Sequence, residues 1–145
     1  AALLHDIGSY VSYSSHHKHS FYLLSHSNLG GFSPRQMALV ANVARYHRRS
    51  APKPQHEAYA ALDRNSRSHV VKLAAFLRLA DALDREHRQK VQSVRAEVES
   101  GTLKLRLAGE GDLLLEGWSL KKKGDLMKRA FRLDILVAAN EKGAA

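Results

Sequence analysis

Residues 70–107 read VVKLAAFLRLADALDREHRQKVQSVRAEVESGTLKLRL, and the spacing of the apolar residues changes within this stretch. In its first half they recur every three or four positions, which is typical of a long amphipathic helix. From Val94 onward apolar and polar residues alternate, and Ser100-Gly101 separates two alternating runs, which predicts a β-hairpin. The sequence therefore predicts an α+β protein, with a helical bundle over residues 1–90 and a small β-rich part with one helix over residues 91–145.

Three earlier segments complete the predicted bundle. Residues 1–13 carry apolar residues one turn apart and predict the end of a helix, and residues 19–27 predict a short second helix. Ser33-Pro34-Arg35-Gln36 combines an N-cap serine, a proline at the first helical position and a glutamine at the third. A helix is therefore expected over residues 34–49, followed by a loop at Ala51–Pro54 because proline interrupts helices.

The segments after the hairpin predict two more strands and a helix. Gly109–Asp112 has the composition of a turn, and Leu113–Leu120 is predicted to be a third strand. Lys121–Phe131 is predicted to be a helix, and Arg132–Ala138 a last strand. The order of elements in the C-terminal part would then be ββ-β-α-β.

Composition restricts the chemistry of the chain. Its 145 residues are 44% hydrophobic and 26% charged, which suits one globular core with a small annex. The sequence contains no cysteine, so a metal ion would need His, Asp or Glu ligands. No apolar run approaches the roughly 20 residues that cross a bilayer, and no signal peptide is recognisable, so we expect a cytoplasmic protein. Ala1–Leu4 lack a methionine and already look helical, so we expect a fragment of a longer chain.

The charge is positive and unevenly distributed. Residues 1–90 hold 13 Lys and Arg against 6 Asp and Glu, a net charge of +7, whereas residues 91–145 hold 10 against 8, a net charge of +2. A basic surface attracts polyanions such as nucleic acid, nucleotides, polyphosphate or membrane headgroups. The alternative is ordinary solvation of helix faces. No glycine-rich phosphate loop is present, so ATP binding of the usual kind is not indicated.

Histidines and carboxylates at intervals along the chain indicate a metal site. His5-Asp6 places an imidazole and a carboxylate side by side between apolar residues, where both can reach one divalent ion. His19, His47 and Asp81 fall in three other predicted helices, and Asp81 stands on an apolar stripe, where burial of a carboxylate is costly without a cation or strong donors. We therefore predict that His5, Asp6, His47 and Asp81 converge in one pocket. The alternatives are histidines that fill or cap the core, and a salt bridge or helix cap for Asp81.

The order His5-Asp6, His19, His47, Asp81 resembles the H…HD…H…H…D order of HD-superfamily metal phosphohydrolases from its second element onward. The first histidine of that order lies on the helix before the HD pair, and only four residues precede the pair here. This resemblance implies an HD-type helical bundle. It also implies a divalent ion, such as Mg²⁺ or Mn²⁺, held by these five residues.

A narrower resemblance covers nearly the whole chain. The segments that carry it are Ala1–Gly8, His16–Ser20 with Tyr22–Leu24, Asn28-Leu29 with Gly31-Phe32, Arg45–Arg48 and the hairpin after residue 90. They resemble the C-terminal portion of the exopolyphosphatase/guanosine pentaphosphatase (Ppx/GppA) family. In that family the phosphatase site lies in N-terminal actin-like domains, and the C-terminal HD-type domain is assigned to binding the polyphosphate chain. The resemblance implies a phosphoric anhydride hydrolase whose main catalytic domain lies outside this chain, with inorganic polyphosphate or guanosine pentaphosphate as partner and a homodimer as the candidate assembly.

Six basic residues flank the histidines in sequence and are the predicted polyphosphate ligands. They are Lys18, Arg45, Arg48, Arg49, Arg78 and Arg85. Guanidinium groups match phosphate oxygens in geometry and charge, which favours the arginines for this role. Lys121–Lys123 is a weaker candidate, because a charge run beside a helix is usually solvated.

Two other functions stay open at this point. A stand-alone HD phosphohydrolase would use a metal-bound hydroxide to attack the phosphorus of a nucleotide. A nucleic-acid-binding module is disfavoured, because few aromatic residues stand among the basic ones and no nucleic-acid motif is recognisable.

Overall fold

A computed structural model describes residues 1–84 and 86–138, which divide into two compact units. Unit 1 spans Ala1–Leu77, and unit 2 starts at Arg78. The predicted α+β class is confirmed, since helices extend to Leu83 and the first strand starts at Val91. The two compact units divide between Leu77 and Arg78, whereas the change from helix to strand comes near Val91. The domain boundary near residue 90 stays a prediction.

The helices of unit 1 follow two short 3-10 turns. The turns are Ala2–Leu4 and Ile7–Tyr10, and the helices are α1 (His16–Ser25), α2 (Pro34–Arg45), α3 (Glu57–Ala60) and α4 (Arg64–Leu83), whose last residues belong to unit 2. Leu24 of α1 packs with Ala41 and Ala44 of α2 in a buried cluster, which Leu4 and Phe21 extend. The first 3-10 turn therefore packs through Leu4 against a buried cluster between α1 and α2.

Helix α2 begins at the predicted cap and ends earlier than predicted. Ser33 Oγ accepts a hydrogen bond from the Gln36 amide at 3.3 Å, and the Ser33 amide donates to Gln36 Oε1 at 2.8 Å, which completes a capping box. The prediction of helix to residue 49 was wrong, because the last helical residue is Arg45. His47 Nδ1 lies 2.6 Å from the Ala44 carbonyl oxygen. The imidazole therefore occupies an acceptor that would bind a backbone amide if the helix continued.

The first two predicted helices also differ from the structure. Helix α1 begins at His16, three residues before the predicted start at residue 19. His16 and His17, which look like loop residues in the sequence, are buried in its first turn. Residues 1–13 do not form the end of an α-helix. Their apolar residues recur at intervals of three, which also fits the tighter 3-10 geometry that they adopt.

The start of α4 is held by a carboxylate that precedes the helix. Asp63 accepts hydrogen bonds from the Ser66 amide at 3.0 Å and from the Ser66 hydroxyl at 2.7 Å, and it contacts the Arg35 guanidinium at 2.9 Å. These hydrogen bonds, the Ser66 amide first, lower the pKa of Asp63 to about 2. Val70 and Ala74, one turn apart on this helix, are fully buried, as the apolar stripe predicts.

Unit 2 contains a sheet of three strands among its described residues. They are β1 (Val91–Glu99), β2 (Thr102–Gly109) and β3 (Asp134–Ala138), with helices α5 (Leu114–Lys123) and α6 (Asp125–Phe131) between β2 and β3. The predicted hairpin is confirmed: β1 and β2 are antiparallel, with Val98 opposite Leu103. Strands β2 and β3 are parallel, with Leu105 opposite Val137, and both helices contact β3.

The predicted strand at Leu113–Leu120 is a helix in the structure. Its buried positions, Leu113, Glu116 and Leu120, recur at helical spacing, whereas Leu114 is 77% exposed. Asp112 Oδ1 accepts a hydrogen bond from the Leu114 amide at 2.9 Å at the start of the helix. A parallel pair of strands requires a crossover connection, and α5 and α6 provide it between β2 and β3.

Candidate functional site

The His5–Gly8 segment is fixed against helix α1 by one serine and one glycine. The Gly8 amide donates to Ser20 Oγ at 2.9 Å, and the same hydroxyl donates to the His5 carbonyl at 2.5 Å. A Cβ atom on Gly8 would lie 2.2 Å from the His16 carbonyl oxygen and 2.3 Å from the Ser20 amide nitrogen. Only glycine allows this approach, which brings Asp6 to the start of α1.

Asp6 is the centre of a cluster of three histidines. Its Oδ1 lies 3.0 Å from His16 Nε2 and 3.4 Å from His47 Nε2, and its Oδ2 lies 3.4 Å from His5 Nε2. The rings of His16 and His47 are stacked with centroids 5.3 Å apart, and the His5 ring meets the His47 ring edge-on at 4.9 Å. The predicted convergence of His5, Asp6 and His47 is therefore observed within unit 1.

The far sides of these rings face backbone carbonyls. His5 Nδ1 lies 2.6 Å from the Ala2 carbonyl, His47 Nδ1 lies 2.6 Å from the Ala44 carbonyl, and His16 Nδ1 lies 3.2 Å from the Tyr13 carbonyl. A carbonyl oxygen only accepts hydrogen bonds, so the proton of the neutral His5 and His47 rings belongs on Nδ1. Each Nε2 then directs a lone pair toward Asp6. Metal-binding histidines are commonly oriented by this kind of outer hydrogen bond.

One oxygen of Asp6 and one nitrogen each of His16 and His47 lie within 4.8 Å of one another. His16 and His47 are buried, whereas the Asp6 side chain is 30% exposed, so one side of the cluster is accessible. Two imidazoles and a carboxylate, with His5 beside them, form a donor set that suits a divalent transition metal such as Zn²⁺ or Fe²⁺ better than Mg²⁺, which prefers oxygen ligands.

Two arginines lie near the histidines at the start of α1. Arg48 Nη1 lies 3.1 Å from both ring nitrogens of His16. Burial, together with the nearby His47, Arg48 and Arg49 side chains, lowers the pKa of His17 to about 4. The start of α1 and the residues after α2 therefore form a concentrated positive region.

His16 occupies the position that sequence reasoning gave to His19. His19 is half-buried on α1 and stays a predicted ligand, whereas His16 is the α1 histidine that lies within 4.8 Å of Asp6 and His47. The signal was present in the sequence, because His16, Ser20 and Leu24 recur every four residues and all three are buried. Because the helix was predicted to start at residue 19, His16 was placed in a loop, and the buried stripe of His16, Ser20 and Leu24 was not recognised.

The remaining predicted residues have different surroundings. Lys18 and Arg49 are exposed, and the Arg45 guanidinium lies over the Phe21 ring at 5.0 Å. In unit 2, Arg78 is 3% exposed and donates to Asp125 at 2.6 Å, and Asp81 forms an ion pair with Lys123. Arg85 lies outside the described residues.

Comparison with known proteins assigns the chain to a family. Residues 1–126 match the family model described as Ppx/GppA phosphatase, domain III. The chain belongs to the Ppx/GppA phosphatase family. A segment of 52 residues is 38% identical to a guanosine-5'-triphosphate,3'-diphosphate pyrophosphatase of Pseudoalteromonas translucida (strain TAC 125). This segment is 36% of the chain and 10% of that relative, so the match covers a small part of the longer protein.

The Ppx/GppA match includes the whole histidine cluster and extends to the start of α6. Among the residues that the structure describes, no helix is long and apolar enough to cross a membrane.

Proposed function

We propose that this Ppx/GppA domain III binds inorganic polyphosphate or guanosine pentaphosphate through the basic region where α1 begins and α2 ends. The observation that carries the proposal is the position of Arg48, whose Nη1 lies 3.1 Å from both His16 ring nitrogens. Arg49, next to it in sequence, and Lys18, two residues after His16, are exposed. In the surrounding sequence, residues 14–25 and 44–53 contain no acidic residue.

Electrostatics supports a phosphate ligand at this region. Positive groups that crowd together raise the local potential. Burial is the first cause of the depressed pKa of His17, and Arg48 and Arg49 lower it further. A phosphate oxygen can accept hydrogen bonds from guanidinium and imidazole N–H groups at once. Arg78 contributes less in this proposal, because it is buried and paired with Asp125.

The experiment is a titration with long-chain polyphosphate at low and moderate salt. Arg48→Glu/Arg49→Glu should weaken binding strongly, and the wild-type affinity should fall steeply with salt, because each neutralised phosphate releases a counterion. The matched control is Lys121→Glu/Lys122→Glu, which changes the net charge equally at two exposed residues of α5. If both double variants lose affinity equally, the effect is one of net charge and the proposed region is wrong.

We also propose a divalent metal ion at the cluster of His5, Asp6, His16 and His47, in an HD-type helical bundle. The donor set supports this proposal, since the outer hydrogen bonds of His5 and His47 leave the Nε2 atoms as ligands on the side of Asp6. A bound ion would supply charge to neutralise and orient phosphate oxygens. Asp81 stays a proposed further ligand, although its carboxylate pairs with Lys123.

For the whole protein we propose a phosphoric anhydride hydrolase of the exopolyphosphatase or guanosine pentaphosphatase type, with its main catalytic domain outside this chain. The family match and the name of the P. translucida relative support this assignment. The alternative, a metal-dependent hydrolase acting on a nucleotide within this chain, is favoured only by the histidine cluster. Hydrolysis of a nucleotide by the isolated chain, lost in Asp6→Asn, would support the alternative.

A further inference from the structure

Unit 1 contains a cavity of about 450 Å³ that none of the four residues of the histidine cluster lines. Its walls come from the end of α1, the loop that follows, helix α2 and one residue of α3. The lining residues that matter here are Phe21, Phe32, Met37, Ala38, Asn42 and Ala58. Pockets of this size, with mostly apolar walls and a few polar groups, typically hold a small organic ligand.

Asn42 places a buried amide in the wall of this cavity. It is 1% exposed and lies on α2 between Ala41 and Val43, which are also buried. Its Nδ2 donates to the Ala38 carbonyl at 2.9 Å and lies 3.4 Å from the Ala58 carbonyl oxygen. A carbonyl oxygen only accepts hydrogen bonds, so the amide nitrogen must face these two groups. The orientation of the Asn42 amide is therefore fixed.

The amide oxygen of Asn42 is left as an acceptor. Oδ1 is buried and has no hydrogen-bond partner among the residues that the structure describes. Unsatisfied buried acceptors are costly, and in native proteins such groups usually have a partner or a function. A ligand that presents an N–H group at this wall would supply the missing donor. The cavity therefore favours a ligand with a hydrogen-bond donor on an otherwise apolar body.

Two phenylalanines favour a flat ring as that body. Phe32 lies in the loop between α1 and α2 and is 51% exposed, and Phe21 is half-buried on α1. Aromatic side chains with accessible faces stack on nucleobases, since every base has a π-face. A nucleobase with an amino group would satisfy both the exposed ring and the buried acceptor.

A cation lies beside this aromatic wall. The Arg45 guanidinium carbon is 5.0 Å from the centre of the Phe21 ring. Within residues 1–84 and 86–138 no carboxylate is found in ion-pair contact with Arg45. Guanidinium groups bind phosphate oxygens through charge-assisted hydrogen bonds. The cation therefore suits the phosphate of a nucleotide whose base lies in the cavity.

We propose that this cavity binds a purine nucleotide whose base carries an exocyclic amino group, as adenine and guanine do. The base stacks on Phe32, the amino group donates to Asn42 Oδ1, and the phosphate lies against Arg45. The base site is distinct from the polyphosphate region, because neither Arg48 nor Arg49 lines the cavity.

Matched nucleotide pairs test the hydrogen bond to Asn42. AMP and purine riboside 5′-monophosphate differ only in the amino group, and so do GMP and inosine 5′-monophosphate. In calorimetric titrations of the full chain, the amino nucleotide of at least one pair should bind at least about fivefold more tightly than its counterpart, which leaves the acceptor unpaired. Asn42→Leu, which removes the acceptor at similar volume, should bind both members of that pair equally. Arg45→Gln should reduce the advantage of the nucleotide over its nucleoside.

Phe32→Ala tests the stacking at an exposed position, where folding is least affected. It should weaken binding of the preferred nucleotide by at least about fivefold. Phe76→Ala is the matched control, because Phe76 is 55% exposed on α4 and does not line the cavity. Phe32→Ala should leave the polyphosphate titration unchanged, so failure of this proposal is distinguishable from failure of the polyphosphate region.

Three results would overturn the proposal of a purine site. They are a wild-type chain that binds neither AMP nor GMP, equal affinities within both nucleotide pairs, and equal effects of Phe32→Ala and Phe76→Ala. Binding of only one of AMP and GMP would support the proposal and identify the base.

Discussion

Gly8→Ala should disrupt the histidine cluster from a position that carries no side chain. The new Cβ would lie 2.2 Å from the His16 carbonyl oxygen, whereas carbon–oxygen contacts are normally about 3.3 Å or longer, so the two backbones must separate by about 1 Å. The 3.0 Å contact between Asp6 and His16 would open by a similar distance.

The energetic cost follows from the same contacts. Forced overpacking costs about 1–3 kcal/mol, and weakening the two hydrogen bonds of Ser20 adds about 1 kcal/mol each. The free energy of unfolding should therefore fall by about 3–5 kcal/mol, which corresponds to a melting temperature lower by on the order of 10 °C.

Urea unfolding followed by far-UV circular dichroism measures this change, and Gly117→Ala is the matched control. A Cβ on Gly117 would meet Val137 Cγ1 at 3.6 Å, an ordinary contact, in the interior of helix α5. Gly117→Ala should stabilise the protein by about 0.5–1 kcal/mol through helix propensity. The reasoning fails if Gly8→Ala costs less than about 1 kcal/mol, or if both substitutions shift stability in the same direction.

Two further predictions concern the metal centre and Asp63. In calorimetric titrations with Mn²⁺ or Zn²⁺, His16→Gln and His47→Gln should lower the metal affinity by more than about tenfold, because loss of an outer hydrogen-bond partner alone costs 10- to 100-fold. His19→Gln should bind the metal as wild type does. A loss of affinity in His19→Gln but not in His16→Gln would favour His19 as the ligand. Asp63 has a folded-state pKa of about 2 against an ordinary value of 3.8, so its contribution to stability is present above that ordinary value and is lost as pH falls through the folded value. Between pH 5 and pH 2 the melting temperature of Asp63→Asn should therefore fall less steeply than that of the wild type, because asparagine keeps an acceptor for the Ser66 amide and does not titrate. Parallel pH profiles of the two proteins would contradict this account.

Local rules predicted the elements whose determinants lie within a few residues. The start of α2 depends on Ser33, Pro34 and Gln36, and the hairpin depends on alternation on both sides of Ser100-Gly101, so both were predicted correctly. The apolar run Leu113–Leu120 is ambiguous between strand and helix. Strands β2 and β3 are parallel, so the segment between them must form a crossover connection, which is usually helical. The local sequence does not show this pairing.

The candidate site was predicted in its chemistry and only partly in its membership. His5-Asp6 and His47 were found because an imidazole or carboxylate among apolar residues needs a partner. His16 was missed because its position beside Asp6 depends on where α1 begins and on the close approach that Gly8 permits, and neither can be read from the local sequence. Arg78 was predicted to bind polyphosphate because it flanks the histidines in sequence and carries a guanidinium group. In the structure it donates to Asp125, 47 residues away in the sequence.

The metal and polyphosphate proposals concern neighbouring side chains, because Arg48 contacts His16 of the proposed metal cluster. With the protons of His5 and His47 on Nδ1, the Nε2 lone pairs of these rings face the Asp6 carboxylate, and electron-rich atoms at 3.4 Å repel one another unless positive charge lies between them. A divalent ion bound here would supply that charge and would add to the positive potential of Arg48 and Arg49. A phosphate chain lying on these arginines would then meet a cation-centred cluster on the exposed side of Asp6. On both proposals together, a metal ion at the cluster would strengthen binding of a polyanion to Arg48 and Arg49.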